Sequence, residues 1–183
     1  QGAAVVVCSL AVARELGVAD RAIFVRSGAS ANDVWEVSAR PDLGASPGIA
    51  AAGRAALAAA GVGIDDIASF DLYSCFPSAV QLGATALGLS LDDPRGLTVT
   101  GGLPYFGGPG NNYTTHAIAT MTDRLRDAPQ GTLGLVTGLG WFATKHAVGI
   151  YGNTPPPGGF VAPDLSAEQT AIDATALPVT VGA

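Results

Sequence analysis

The apolar positions of this chain fall into short blocks whose length and spacing predict a succession of strands and helices. Ala3 to Cys8 is a continuous apolar run that predicts a strand, and Ser9 to Leu16 follows with helical spacing and Gly17 as its C-terminal stop. Ala22 to Arg26 predicts a second short strand, ended by a loop from Ser27 to Asn32 and followed by a brief extension over Trp35 to Ser38. Ser46-Pro47 then sets a capping residue and a first-turn proline ahead of a helix over Ala50 to Ala60, which Gly61 closes.

Asp65 and Asp66 stand in solvent before a buried strand over Ser69 to Ser74, and Pro77-Ser78 opens a helix from Ala79 to Leu87 with Gly88 as its stop. Leu97 to Thr100 predicts a strand that delivers a glycine-rich loop, and Asn112 to Arg126 predicts a helix carrying His116 and Met121. Two further apolar runs, Leu133 to Thr137 and Ala147 to Tyr151, flank Gly138-Leu139-Gly140-Trp141 and predict an antiparallel pair. Alternating units ending in a hairpin imply an α/β fold, a layered domain in which a mixed sheet carries helices on its faces. Pro155-Pro156-Pro157-Gly158-Gly159 is a stiff-then-flexible linker, and the tail over Phe160 to Ala183 has little periodicity, so an extra module or a peripheral arm is expected there.

Composition narrows the functional classes. With 183 residues, 48% of them hydrophobic, the chain is long enough for one domain with a full core. No apolar run reaches the roughly 20 residues of a membrane helix, and no basic n-region or cleavage site marks a signal peptide. A formal charge of −6, a single lysine at Lys145 and scattered arginines argue against nucleic acid as a partner. Cys8 and Cys75 form neither a disulfide framework nor a metal site by count and spacing, so a reducing cytoplasm is the expected setting and no metal is expected. Gln1-Gly2 runs straight into the apolar segment, as mid-chain sequence does, and a missing upstream domain is expected.

The chemistry concentrates at Gly101-Gly102-Leu103-Pro104-Tyr105-Phe106-Gly107-Gly108-Pro109-Gly110-Asn111-Asn112, directly before a predicted helix. Glycines let bare backbone approach a ligand, and amides opening a helix attract an anion or a developing oxyanion. The loop carries no acid, base or strong nucleophile of its own.

Three stretches carry a family resemblance: Asp71-Leu72-Tyr73-Ser74-Cys75-Phe76 with the following Ala86-Leu87-Gly88-Leu89, Gly101-Gly102-Leu103 leading to Gly107-Gly108-Pro109, and Gly138-Leu139-Gly140. In this order they resemble the thiolase superfamily, over roughly residues 1 to 152, and most of all sterol-carrier-protein-type thiolases and actinobacterial thiolase-like acetyl-CoA acetyltransferases. The resemblance implies a layered thiolase-type domain. Residues 1–21 would end an N-terminal thiolase domain, 22–152 would form the C-terminal one, and 153–183 would hold the linker and the start of a module or tail.

It also implies acyl transfer in lipid metabolism, with a CoA thioester as substrate or ligand and no covalently bound cofactor. In that family the first half supplies a nucleophilic cysteine and the second a His or Asn, a Gly-His-Pro histidine and often a Cys-x-Gly thiol. Carried over by position, these become Tyr73, Gly108 and Val136, so all three polar groups are replaced and ordinary thiolase activity is not expected of this chain. The implied partners are acyl-CoA, the missing N-terminal half, and a second copy or a small acyl-CoA-binding protein.

The individual residues leave alternatives open. Tyr73 could donate to a thioester oxygen or act as acid and base, although a tyrosine pKa of about 10 is high for a base, or its ring could simply pack at a strand end. His116 and His146 could each stand in space where the loop histidine is missing, or hold structural places. Gly107, Gly108, Pro109, Asn111 and Asn112 form the expected ligand-binding loop, in which an asparagine could orient a carbonyl or cap the next helix. Cys75 is expected to pack and not to attack, Cys8 to sit in the core, and Trp141 and Phe142 either to pack in the core or to line an acyl pocket.

Overall fold

Each predicted helix with a complete set of end signals forms. The computed structural model describes residues 2–108 and 110–179. In chain order its elements are α1 (Leu10–Glu15), β1 (Phe24–Asn32), α2 (Pro47–Ala60), β2 (Ile67–Asp71), α3 (Pro77–Leu87), α4 (Leu103–Phe106), α5 (Tyr113–Arg126), β3 (Leu133–Gly140), β4 (Lys145–Gly152) and α6 (Ser166–Asp173). The Ser46 side chain accepts a hydrogen bond from the Ile49 amide at the start of α2, and Gly61 and Gly88 end α2 and α3 at positive φ.

The strands form one mixed sheet in the order β1-β4-β3-β2, with β2 and β3 parallel and the other neighbours antiparallel. Alternation along β3 separates two cores. Leu133 and Leu135 join a cluster with Ile49, Ala52 and Ala56 of α2 and Leu87 of α3. Val136 points the other way, into a cluster with Tyr113, Ala117, Met121 and Leu125 of α5. The result is the layered α/β arrangement with helices on the faces of a mixed sheet.

Three segments depart from expectation. Ala3 to Cys8 is not a strand: no described strand pairs with it, Val6 and Val7 are 92% and 82% exposed, and Cys8 is exposed rather than in the core. An apolar run becomes a strand only where another strand accepts its backbone bonds. Ser27 to Asn32, read as a loop, continues β1, because Ser27 through Asn32 register against Ile150 through Lys145 of β4. Leu97 to Thr100 forms no strand; its backbone is held instead by the Asp71 carboxylate, which takes the Val99 and Thr100 amides.

The tail docks on the domain. The Phe160 to Val161 segment runs beside β1, with the Gly28 amide donating to the Val161 carbonyl at 3.3 Å and an isolated parallel bridge joining Ser27 to Val161. Leu165, just before α6, and Ile172 within it, each 7% exposed, then insert into the α2-side core. The Gln169 carboxamide of α6 accepts from the Asn32 amide at 2.7 Å and donates to the Asn32 carbonyl at 3.2 Å. Among the described residues no helix is long and apolar enough to cross a membrane.

Candidate functional site

Two networks around buried carboxylates organise the region where the candidate residues gather. The first follows from the end of β2. Asp71 is fully buried, and its carboxylate accepts from the Thr98 and Thr100 hydroxyls, the Val99 and Thr100 amides and, at 2.8 Å, the Tyr113 hydroxyl. Three residues later the Ser74 hydroxyl accepts the Leu103 amide at 2.9 Å. The glycine-rich loop is thereby fixed at its entrance and tied to the start of α5.

Within the loop Gly102 is buried, four residues form α4, and Gly107 and Gly108 lie at φ 90° and 109°. At Gly108 a Cβ would stand 2.7 Å from the Tyr113 Cβ and 3.1 Å from its Cα. A histidine at this position would therefore have to displace the ring whose hydroxyl is bonded to Asp71. Pro109 lies outside the described residues. Asn111 is exposed, and Asn112 occupies the N-cap position of α5 without a side-chain cap bond, so the capping role is not made there. His116, one turn into α5, is buried, with its Nε2 without a hydrogen-bond partner among the described residues and its ring edge-on to Phe106 at 5.2 Å.

The second network joins the end of β1, the start of α2 and the start of β4. Gly48 permits it: a Cβ there would lie 3.0 Å from both the Asp33 amide nitrogen and the His146 ring, so only glycine lets the helix start come this close. Asp33 Oδ1 accepts the Gly48 amide at 2.7 Å, and Oδ2 accepts the Ser46 hydroxyl at 2.6 Å and faces His146 Nε2 at 2.9 Å. Burial opposes ionisation of Asp33 and is the largest single influence. The hydrogen bonds from His146, Ser46 and Gly48 together outweigh it and hold the carboxyl below its ordinary value.

Tyr73 and His146 are brought together. They line one cavity of about 10 Å³, room for a single water, with Thr137, Gly138 and Leu139 of β3 and Ile49 of α2. The Tyr73 amide donates to the Thr137 hydroxyl at 2.8 Å, and its ring meets Tyr113 edge-on at 5.3 Å. Burial, then the neighbouring Cys75, push the Tyr73 phenol above its usual pKa. Burial raises the Cys75 thiol too, against two backbone hydrogen bonds that favour the thiolate. Val136 is 3% exposed and packs toward α5, while His116 is not among the residues lining the cavity.

Trp141 and Phe142 are neither core residues nor part of this cavity: they are 62% and 68% exposed at the β3–β4 turn, with Trp141 stacked on Trp35 at 6.1 Å. The Arg40 guanidinium fastens that turn, donating to the carbonyls of Phe142 and Ala143 and to the Thr144 hydroxyl. Asp33 and Asp71 were missed as site residues. An aspartate inside the apolar run Phe70-Asp71-Leu72 was the visible signal for the latter, since a buried carboxylate must be satisfied.

Comparison with known proteins settles the family. The structure is similar to a monomeric SCP2-thiolase-like protein type 1 from Mycobacterium smegmatis, at 45% sequence identity and a TM-score of 0.82, over 89% of this chain and 36% of that one. The chain belongs to the thiolase superfamily and is SCP2-thiolase-like. It thus spans about a third of that relative's length. A weaker likeness is to the peroxisomal 3-ketoacyl-CoA thiolase of Saccharomyces cerevisiae, 24% identical over 57% of this chain and 29% of that one, with a TM-score of 0.43. No family model matches the chain, and no curated protein sequence matches it.

Proposed function

We propose that this chain is the C-terminal part of a thiolase-fold protein that binds CoA thioesters and does not carry out ordinary thiolysis. The observation that supports this most is the closed histidine position: Gly108 sits at positive φ with no room for a Cβ beside Tyr113. With Val136 in the core and Tyr73 at the remaining polar position, the thiolase-like loop keeps its bare backbone and lacks its usual acid and base groups. Calorimetry with acetyl-CoA tests binding. Acetoacetyl-CoA cleavage at ordinary thiolase rates by the protein, together with whatever sequence precedes residue 1, would overturn the claim of lost thiolysis.

A second reading is favoured by Tyr73 and His146 lining one cavity. A retro-aldol step on a β-hydroxyacyl-CoA needs a proton taken from the hydroxyl and an enolate stabilised at the thioester, and no cysteine nucleophile. Tyr73→Phe should then abolish carbon–carbon cleavage, and unchanged turnover would remove this reading. A third reading, a non-catalytic scaffold that pairs with a small acyl-CoA-binding protein, would show itself as stable copurification of the two.

A further inference from the structure

The hydrogens around Asp33 can be placed one at a time. Ser46 Oγ accepts the Ile49 amide at 3.2 Å, and its own proton goes to Asp33 Oδ2 at 2.6 Å. It therefore has no proton to give His146 Nε2 at 3.3 Å, and the Ser46–His146 contact is not the nucleophile–base pair of a hydrolytic triad. Asp33 Oδ2, held ionised by its donors, can only accept, so the atom facing it, His146 Nε2, must carry a hydrogen.

That leaves Nδ1. His146 is 4% exposed, and its Nδ1 is buried without a hydrogen-bond partner among the described residues. The Nε2–Cδ2 edge of the ring is taken up by Asp33 and Gly48. The opposite edge carries the unpartnered Nδ1, and His146 lines the cavity together with Tyr73 and Thr137. An imidazole nitrogen left bare in a buried, one-water space costs free energy unless something fills that space.

We infer that Asp33 and His146 form an acid/base pair whose free Nδ1 receives the hydrogen of a single hydroxyl oxygen in this cavity. Asp33 is the positioning residue and His146 the group that takes the proton. This rests on the thioester-binding reading above. The oxygen has two possible sources, a water or the 3-hydroxyl of a bound β-hydroxyacyl-CoA. From water, Nδ1 takes the proton, the oxygen adds to the thioester carbonyl, and the carbon–sulfur bond breaks with the proton passing to the departing CoA thiolate. From the 3-hydroxyl, Nδ1 takes the proton and the oxygen electrons form a carbonyl. The C2–C3 bond then breaks toward the thioester enolate, and the imidazolium returns the proton to C2. No oxidant or further reactant is needed in either case.

Nitrogen-15 spectra of the histidine rings test the pair without any ligand. The neutral His146 ring should carry its hydrogen on Nε2, and Asp33→Asn should convert it to a mixture of tautomers; a ring with hydrogen on Nδ1 in the unmodified chain overturns the inference. Two titrations then separate the sources. If the 3-hydroxyl is the partner, the Nδ1 resonance moves with 3-hydroxybutyryl-CoA and not with acetyl-CoA. If water is the partner, the resonance ignores both, and release of CoA from acetyl-CoA falls at least tenfold in His146→Gln. Indifference of the resonance together with unchanged release in that variant also overturns it. Calorimetric failure to bind acetyl-CoA would remove the thioester reading and leave the tautomer result to decide the acid/base pair by itself.

Discussion

Asp33 and Asp71 stand at opposite edges of the same sheet, both buried, and they are used in different ways. Asp71 spends its carboxylate on a loop: amides and hydroxyls of residues 98 to 100 and the Tyr113 phenol converge on it, and no polar atom is left over for chemistry. Asp33 takes fewer donors, one of them an imidazole whose far nitrogen has no partner among the described residues. A buried carboxylate with only backbone and hydroxyl donors is scaffolding. The same group with a ring as one donor transmits its charge to a second atom several ångströms away.

The comparison is most directly broken at Asp71. Asp71→Ala strands several buried donors at about 1–3 kcal/mol each, partly recovered by water, so a loss of about 4 kcal/mol is expected in urea unfolding; a loss below about 1 kcal/mol would show that the loop is held by other contacts. Gly108→His should cost about 3 kcal/mol through backbone strain and the collision with Tyr113, with no gain of thiolysis. On the other side Ser46→Ala removes the helix cap and one donor to Asp33, and about 1.5 kcal/mol is expected.

These elements also show what the residues alone could tell. Ser46-Pro47 and Gly61 were legible because a helix start and stop are written within a few positions. Ser27-Gly28-Ala29-Ser30 reads as a loop because such small residues have little strand preference by themselves; β4 imposes the strand by pairing with them. His146 and Tyr73 could be named from the sequence, yet Asp33 could not be joined to His146, because the two are 113 residues apart and meet only through the β1–β4 register. Helix α6 and the residue before it offer just Ile172 and Leu165 as buried apolar anchors, too few for a periodic signal.

The smallest effect separates the networks by pH. The folded-state pKa of Asp33 lies below the ordinary 3.8, so ionised Asp33 contributes stability that is fully present above the unfolded value and is lost as pH falls through the folded one. The stability difference between the unmodified chain and Asp33→Asn should therefore be full at pH 5 and above and narrow only below about 4 in acid titrations of unfolding. A difference independent of pH would mean that the carboxylate charge contributes nothing there.

The Gln169 carboxamide engages the Asn32 backbone as another peptide group would, giving and receiving one hydrogen bond. Together with Val161 it occupies the outer side of β1, the strand at which the sheet would otherwise end in unanswered amides and carbonyls. The consequence is colloidal. A chain cut before Phe160 would present an open ladder to its own copies, and its solubility would become a function of concentration.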